Sequence, residues 1–233
     1  MGKSIGVHEI LNNKYSTIND LPSAKKAGRT LCKEMEAAIG LPEIGFKMMV
    51  WGPSGNGKTT FVVKLCKALS ELGRVYYDSV EQGEGRSIQK VLQQCQVGEC
   101  KPGSFVLGDR DTYEELVKKI GTPRQKTRFV VIDSAQYMKL RMEQYQYLVE
   151  NFSHISFIII SWEDGSKQPL GAHAKAIRYM VDIKTYVQKG VAASDSRFAQ
   201  TLPYQVMPWL DKTVDAVVKK KVETGQLELI PNE

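Results

Sequence analysis

One stretch constrains this chain more than any other: Gly52-Pro53-Ser54-Gly55-Asn56-Gly57-Lys58-Thr59-Thr60. It matches G-x-x-x-x-G-K-[ST] in full. Its glycines let the backbone wrap with N–H groups turned inward, toward phosphate oxygens. A helix starting at its end offers those phosphates the positive pole of its dipole. In this arrangement Lys58 reaches the β- and γ-phosphates, and the Thr59 hydroxyl is a ligand for Mg²⁺. The mechanism needs a strand before the loop and a helix after it. Phe46–Trp51 is a short apolar run of strand length, and Thr59–Leu72 carries Phe61, Val62, Leu65, Cys66 and Leu69 at helical spacing. The expected ligand is therefore Mg·ATP, held by residues 52–60.

The remaining pattern alternates strand and helix. Strands are expected at Arg74–Val80, Ser104–Leu107, Arg128–Ile132, Ser156–Ser161, Val181–Val187 and Tyr204–Met207. Helices are expected at Ser87–Cys95, Thr112–Ile120 and Met142–Asn151, with a turn or short helix at Ala172–Met180. The central strands are continuously apolar, as in a parallel sheet buried on both faces. The expected class is α/β, with a mostly parallel central sheet flanked by helices. Residues 1–43 read as a helical extension, with one helix over Ala24–Ile39 capped by Ser23 and stopped at Gly40. Its role is packing on the core or docking a partner. Residues 44–208 form the core. Residues 209–233 carry a basic amphipathic helix, Leu210–Glu223, and a tail.

Composition narrows the setting. The chain has 233 residues, enough for one sizeable domain, and a net charge of +6 that favours anionic partners only weakly. Its four cysteines include no Cys-x-x-Cys pair, so reduced thiols are expected rather than zinc ligands. No run reaches the roughly 18 apolar residues of a membrane span. The N-terminus lacks a signal-peptide core, and Ile5 and Gly6 stand where a myristoylation signal carries Ser or Thr. The expected compartment is the cytoplasm, with no membrane partner.

Phosphoryl chemistry also needs a carboxylate that holds Mg²⁺ through its water shell. Asp133 ends the apolar run Arg128–Ile132, at the strand tip where open α/β sheets bind ligands. Hydrolysis needs a group that activates water. Glu81 ends the second strand, at the tip of Val75-Tyr-Tyr-Asp-Ser-Val-Glu81, before Gln82-Gly83-Glu84-Gly85. On position alone it is either that group or a solvated loop acid, and Asp78 is less well placed.

These features together resemble the core of RecA/RadA-type ATPases: the loop, a strand leading to Glu81, and an apolar strand ending Asp133-Ser134. Gly171–Asp182 resembles the segment of that family that leads into Met-Val-Asp and a strand. Ser196-Arg197-Phe198 resembles the end of its Lys-Asn-Arg-Phe-Gly motif. The likeness runs from about Phe46 to Phe198 and is closest to the shortened, core-only RecA-like ATPases of phages and mobile elements. It implies a RecA-like P-loop NTPase fold, with Glu81 as the water-activating residue. It also implies homo-oligomerisation into a ring or filament, ATP between neighbours, and Arg197 donated in trans. Ala135–Arg141 and Trp162–Arg178 would be the two DNA-facing loops. Asp195-Ser196 replaces the family's Lys-Asn, Ala199 its Gly, and Trp162 stands where relatives commonly carry His.

Those loops hold Lys139 and Arg141, then Lys167, His173, Lys175 and Arg178, with Trp162 close by. Cations and an aromatic suit single-stranded DNA. Glu163 and Asp164 lie in the second loop, so a solvated loop beside an ATP site is the alternative. Lys219–Lys221 reads as a wet helix face. Tyr137, Tyr145, Tyr147 and Tyr179 read as packing residues, with Tyr137 the one to test for stacking.

The leading expectation is an ATP-hydrolysing protein acting on single-stranded DNA in recombination, repair or replication. One alternative is a nucleotide-gated adaptor or loader for a replication or recombination protein, with little turnover. Another is a small-molecule kinase, because Asp133-Ser-Ala-Gln136 is similar to the Asp-Glu-Ala-Gln of thymidine kinases. The cysteine zinc site and lasso of those enzymes have no counterpart in the sequence.

Overall fold

A computed structural model of the chain describes residues 15–207 except 82, 84, 123 and 124. The expected basic helix Leu210–Glu223 and the loop acid Glu84 lie outside the described residues.

Eight strands form one sheet: β1 Lys47–Gly52, β2 Arg74–Ser79, β3 Phe105–Gly108, β4 Thr127–Asp133, β5 Ser156–Trp162, β6 Ile183–Gln188, β7 Val191–Ser196 and β8 Tyr204–Gln205. Their order is β3-β2-β4-β5-β1-β6-β7-β8. Pairing is parallel from β3 through β6, and β7 alone runs against its neighbours. The expected mostly parallel α/β sheet is what the chain forms.

Seven α-helices are described: α1 Pro22–Ala27, α2 Lys33–Ile39, α3 Lys58–Ser70, α4 Arg86–Gln94, α5 Tyr113–Ile120, α6 Met142–Asn151 and α7 Ala172–Met180. Successive strand residues face opposite sides, so continuously apolar strands feed two cores. Met48, Val50, Val75, Tyr77 and Val131 pack with α1 to α4. Met49, Trp51, Tyr76, Val130 and Ile132 pack with α5 to α7. Thr112 caps α5 through a capping box with Glu115, which sharpens a boundary the sequence already marked.

Three local readings change. The single helix expected over Ala24–Ile39 is two, because Gly28 takes a left-handed conformation (φ 62°) and closes α1. Ser23 is not the cap. It lies inside α1 and donates its hydroxyl to the Leu72 carbonyl. The two helices and the residues flanking them lay Leu21, Ala24, Leu31, Met35, Ala38 and Ile39 into the same core as α3. Strand β7 was not foreseen, because Val-Ala-Ala-Ser-Asp-Ser lacks a bulky apolar alternation. The signal for it is the turn: Lys189 (φ 48°) and Gly190 (φ 77°) both have positive φ, as a two-residue hairpin requires.

Candidate active site

The site lies where β1, β2, β4 and β5 end. β1 delivers the chain into the phosphate loop at Gly52, whose φ is 150°. A Cβ there would lie 2.0 Å from the Val187 carbonyl oxygen, so only glycine lets the loop leave beside β6. Asn56 ties the loop to the β6–β7 turn, its Oδ1 accepting the Lys189 N–H at 2.7 Å. Gly57 then starts α3 in a left-handed conformation.

Lys58, buried, folds back over the loop. Its Nζ donates to the carbonyls of Gly52 and Pro53, both at 2.8 Å. Burial lowers its pKa, opposed by the negative charges of Asp133, Glu81 and Glu163. Beside it, Thr59 Oγ1 lies 3.3 Å from Asp133 Oδ2. Asp133 is 3% exposed at the tip of β4. Burial pushes its carboxyl up to about 6. The Tyr77 hydroxyl, donating at 2.6 Å, works against that shift. The sequence reading missed Tyr77. Its strand, Arg-Val-Tyr-Tyr-Asp-Ser, offers two phenols, each needing a partner when buried, and nothing local says which one meets Asp133. Thr59 and Asp133 form a compact pair of oxygen donors, the ligand type that Mg²⁺ takes.

Glu81 lies just past β2 and is tied to Asp133 by its own N–H, which donates to the Asp133 carbonyl at 2.9 Å. Its Oε2 accepts a hydrogen bond from the indole Nε1 of Trp162 at 3.2 Å. Glu81, Asp133, Lys58, Thr59, Trp162 and Met207 line one cleft of about 190 Å³, with Ser54, Gly55, Gly57, Thr60 and Ile160. Pro53 supplies its carbonyl to Lys58 rather than lining the cleft.

Asp78 belongs elsewhere. It is fully buried, its Oδ1 accepts the Asp111 N–H at 3.2 Å, and burial pushes its carboxyl up to about 7. Gln136 does not line the cleft either. Its amide holds Ser161 Oγ, the Leu170 carbonyl and the Trp162 N–H. It joins the loop after β4 to the end of β5, another positioning role not foreseen.

Arg197 is not brought to the phosphate loop. It follows β7 at the opposite end of the sheet and pairs with Asp182 at 3.1 Å. The candidate DNA residues divide. Lys139 and Arg141 are exposed on the loop after β4. Lys175 pairs with Asp164 at 2.5 Å. Arg178 donates to Gln168 and lies over the Trp51 ring, 5.0 Å from its centroid. Lys167 gives its carbonyl to the Trp51 Nε1–H at 3.0 Å. The second loop is thus a folded unit, closed by the Leu170 N–H on the Trp162 carbonyl and the Asp164 N–H on the Gln168 carbonyl. Of the four tyrosines read as packing residues, only Tyr145 is buried; Tyr137, Tyr147 and Tyr179 are exposed.

Solved structures share this architecture at low identity. The ATPase domain of G40P aligns with 83% of this chain and 88% of its own, at 14% identity and a TM-score of 0.56. The RadB recombinase aligns with 75% of this chain and 94% of its own, at 18% identity and a TM-score of 0.51. No family profile and no curated protein sequence matches. The likeness is one of fold: the chain has a RecA-like P-loop core. Among the described residues, no helix is long and apolar enough to cross a membrane.

Proposed function

We propose that this RecA-like core binds Mg·ATP and hydrolyses it, working as an oligomer on single-stranded DNA. The observation that carries the reading is the meeting of Lys58, Thr59, Asp133 and Glu81 around one cleft at the strand tips. The loop N–H groups and Lys58 would bind the phosphates. Lys58 would exchange its two loop carbonyls for phosphate oxygens. Thr59 and Asp133 would hold Mg²⁺, which when bound screens the charge between phosphate oxygens. Glu81 accepts a proton from water as the water oxygen bonds to the γ-phosphorus. The bond to the β-γ bridging oxygen breaks, and ADP and inorganic phosphate leave.

Arg197 fits this scheme only from a neighbouring subunit, since its own phosphate loop lies at the far end of the sheet. The fold shared with the ATPase domain of G40P and the RadB recombinase supports DNA as the partner, through Lys139, Arg141 and Tyr137 first. One observation favours the adaptor reading: the Trp162 indole already holds one Glu81 oxygen. Calorimetry with Mg·ATP, then phosphate release with and without single-stranded DNA and with particle size followed, tests all of this. Binding, turnover and a larger particle are expected. Tight binding without turnover would transfer the case to the adaptor. No binding by folded protein would end it.

A further inference from the structure

Trp162 joins two groups that lie far apart in the sequence. Its Nε1–H donates to Glu81 Oε2 at 3.2 Å. Its ring meets Tyr137 edge to face, with centroids 5.3 Å apart and planes at 85°. Tyr137 is 48% exposed on the loop after β4. Its neighbour Gln136 accepts the Trp162 N–H at 3.1 Å, so that loop grips Trp162 at both backbone and ring. An N–H bound to a carboxylate oxygen occupies a lone pair that would otherwise take a proton from water.

Resting on the ATPase reading above, we propose that Trp162 is a positioning residue that restrains Glu81, and that Tyr137 is the exposed handle through which a base of single-stranded DNA releases it. A base stacked on Tyr137 engages the ring against which the indole leans. The indole shifts with that ring, its Nε1–H leaves Glu81 Oε2, and the carboxylate is left to accept the proton of the attacking water. ATP turnover is thereby low until DNA occupies the loop. The phosphate loop is untouched by the change, so nucleotide affinity does not follow it.

The test compares wild type, W162F, Y137A and the W162F/Y137A double variant, each with and without oligo(dT). Turnover and KM for Mg·ATP are measured. Trp162 emission is taken as the difference between wild type and W162F. W162F keeps a ring but has no N–H. Without oligo(dT) its kcat is expected to rise on the order of fivefold, about one hydrogen bond to a partly hydrated charge. Its KM is expected to stay within about twofold of wild type. Its response to oligo(dT) is expected to vanish, and so is that of Y137A. Oligo(dT) is expected to shift the Trp162 emission of wild type but not the same difference taken in the Y137A background. If wild type hydrolyses ATP while W162F shows unchanged or lower kcat, or retains its oligo(dT) stimulation, this proposal alone falls. Wild type that binds or turns over no ATP overturns the ATPase reading and this proposal together. If W162F fails to fold by circular dichroism, the exposed Y137A decides, and retained stimulation overturns the proposal.

Discussion

Around the phosphate loop, polar groups from four strand ends converge on one hollow. Lys58 rests on two loop carbonyls, and Asp133 is met by Thr59 and Tyr77. In the loops after β4 and β5 the cations diverge. Lys175 is exposed but engaged by Asp164, Arg178 is engaged by Gln168 and Trp51, and Lys139 and Arg141 are exposed on the first loop. Both regions are rich in Lys, Arg and acid, so residue type alone does not separate a site from a scaffold. What separates them is whether side chains are held toward a shared space or satisfied by one another.

The largest test of this contrast is at Lys58. Lys58→Ala removes the one side-chain cation of the loop, and Mg·ATP affinity is expected to fall on the order of 100-fold in calorimetry, with turnover lost. Wild-type affinity would dissolve the contrast at its stronger pole. Glu81→Gln comes next. Binding is expected to persist while phosphate release slows on the order of 100- to 1,000-fold. Normal turnover would remove Glu81 from its role. Arg197→Ala is expected to slow turnover about tenfold, because Asp182 competes for its guanidinium. Mixing it with the Lys58→Ala chain should restore part of the rate if Arg197 acts between subunits, and no recovery would refute that.

The carboxylate of Asp133 gives a pH signature. Its folded-state pKa is raised to about 6 by burial, above the value near 3.8 of an exposed side chain. The folded state therefore holds the proton more tightly than the unfolded one. This contribution is complete at low pH and is lost as pH rises through about 6. Cation binding needs the ionised form. Mg·ATP affinity should climb between about pH 5 and about pH 7. Asp133→Asn should flatten that climb, and a climb unchanged in the variant would assign it to another group.

The smallest effect is expected at the other pole. Lys175→Ala should leave oligo(dT) affinity within about twofold and the melting temperature nearly unchanged, as for an exposed ion pair. Lys139→Ala with Arg141→Ala should weaken oligo(dT) binding and reduce its salt slope by about one to two. A larger loss at Lys175 would reverse the order of the two loops.

Most of the framework was legible from local pattern. The apolar strands and the helices Thr112–Ile120 and Met142–Asn151 were all legible, because each depends on neighbours within a few residues. The helix expected over Ala24–Ile39 failed at Gly28, where one left-handed residue outweighed a passable apolar stripe. β7 was hidden because a strand of Ala and Ser is defined by its partner and its turn rather than by its own hydrophobicity. In the site, Asp133 could be picked out as a strand-end carboxylate. Tyr77 and Gln136 could not, since their partners lie 56 and 25 residues away.

The sequence by itself determined that this chain has a glycine-rich G-x-x-x-x-G-K-T loop between a strand and a helix, within a mostly parallel α/β core. Backbone conformation and strand burial follow from glycine placement and apolar runs, which are local properties. Only the tertiary structure decided which charges face the cleft, which are cancelled by neighbours, and that Glu81 is held by Trp162. Those outcomes depend on the strand order, which sets β2, β4 and β5 side by side and brings distant residues within hydrogen-bond reach.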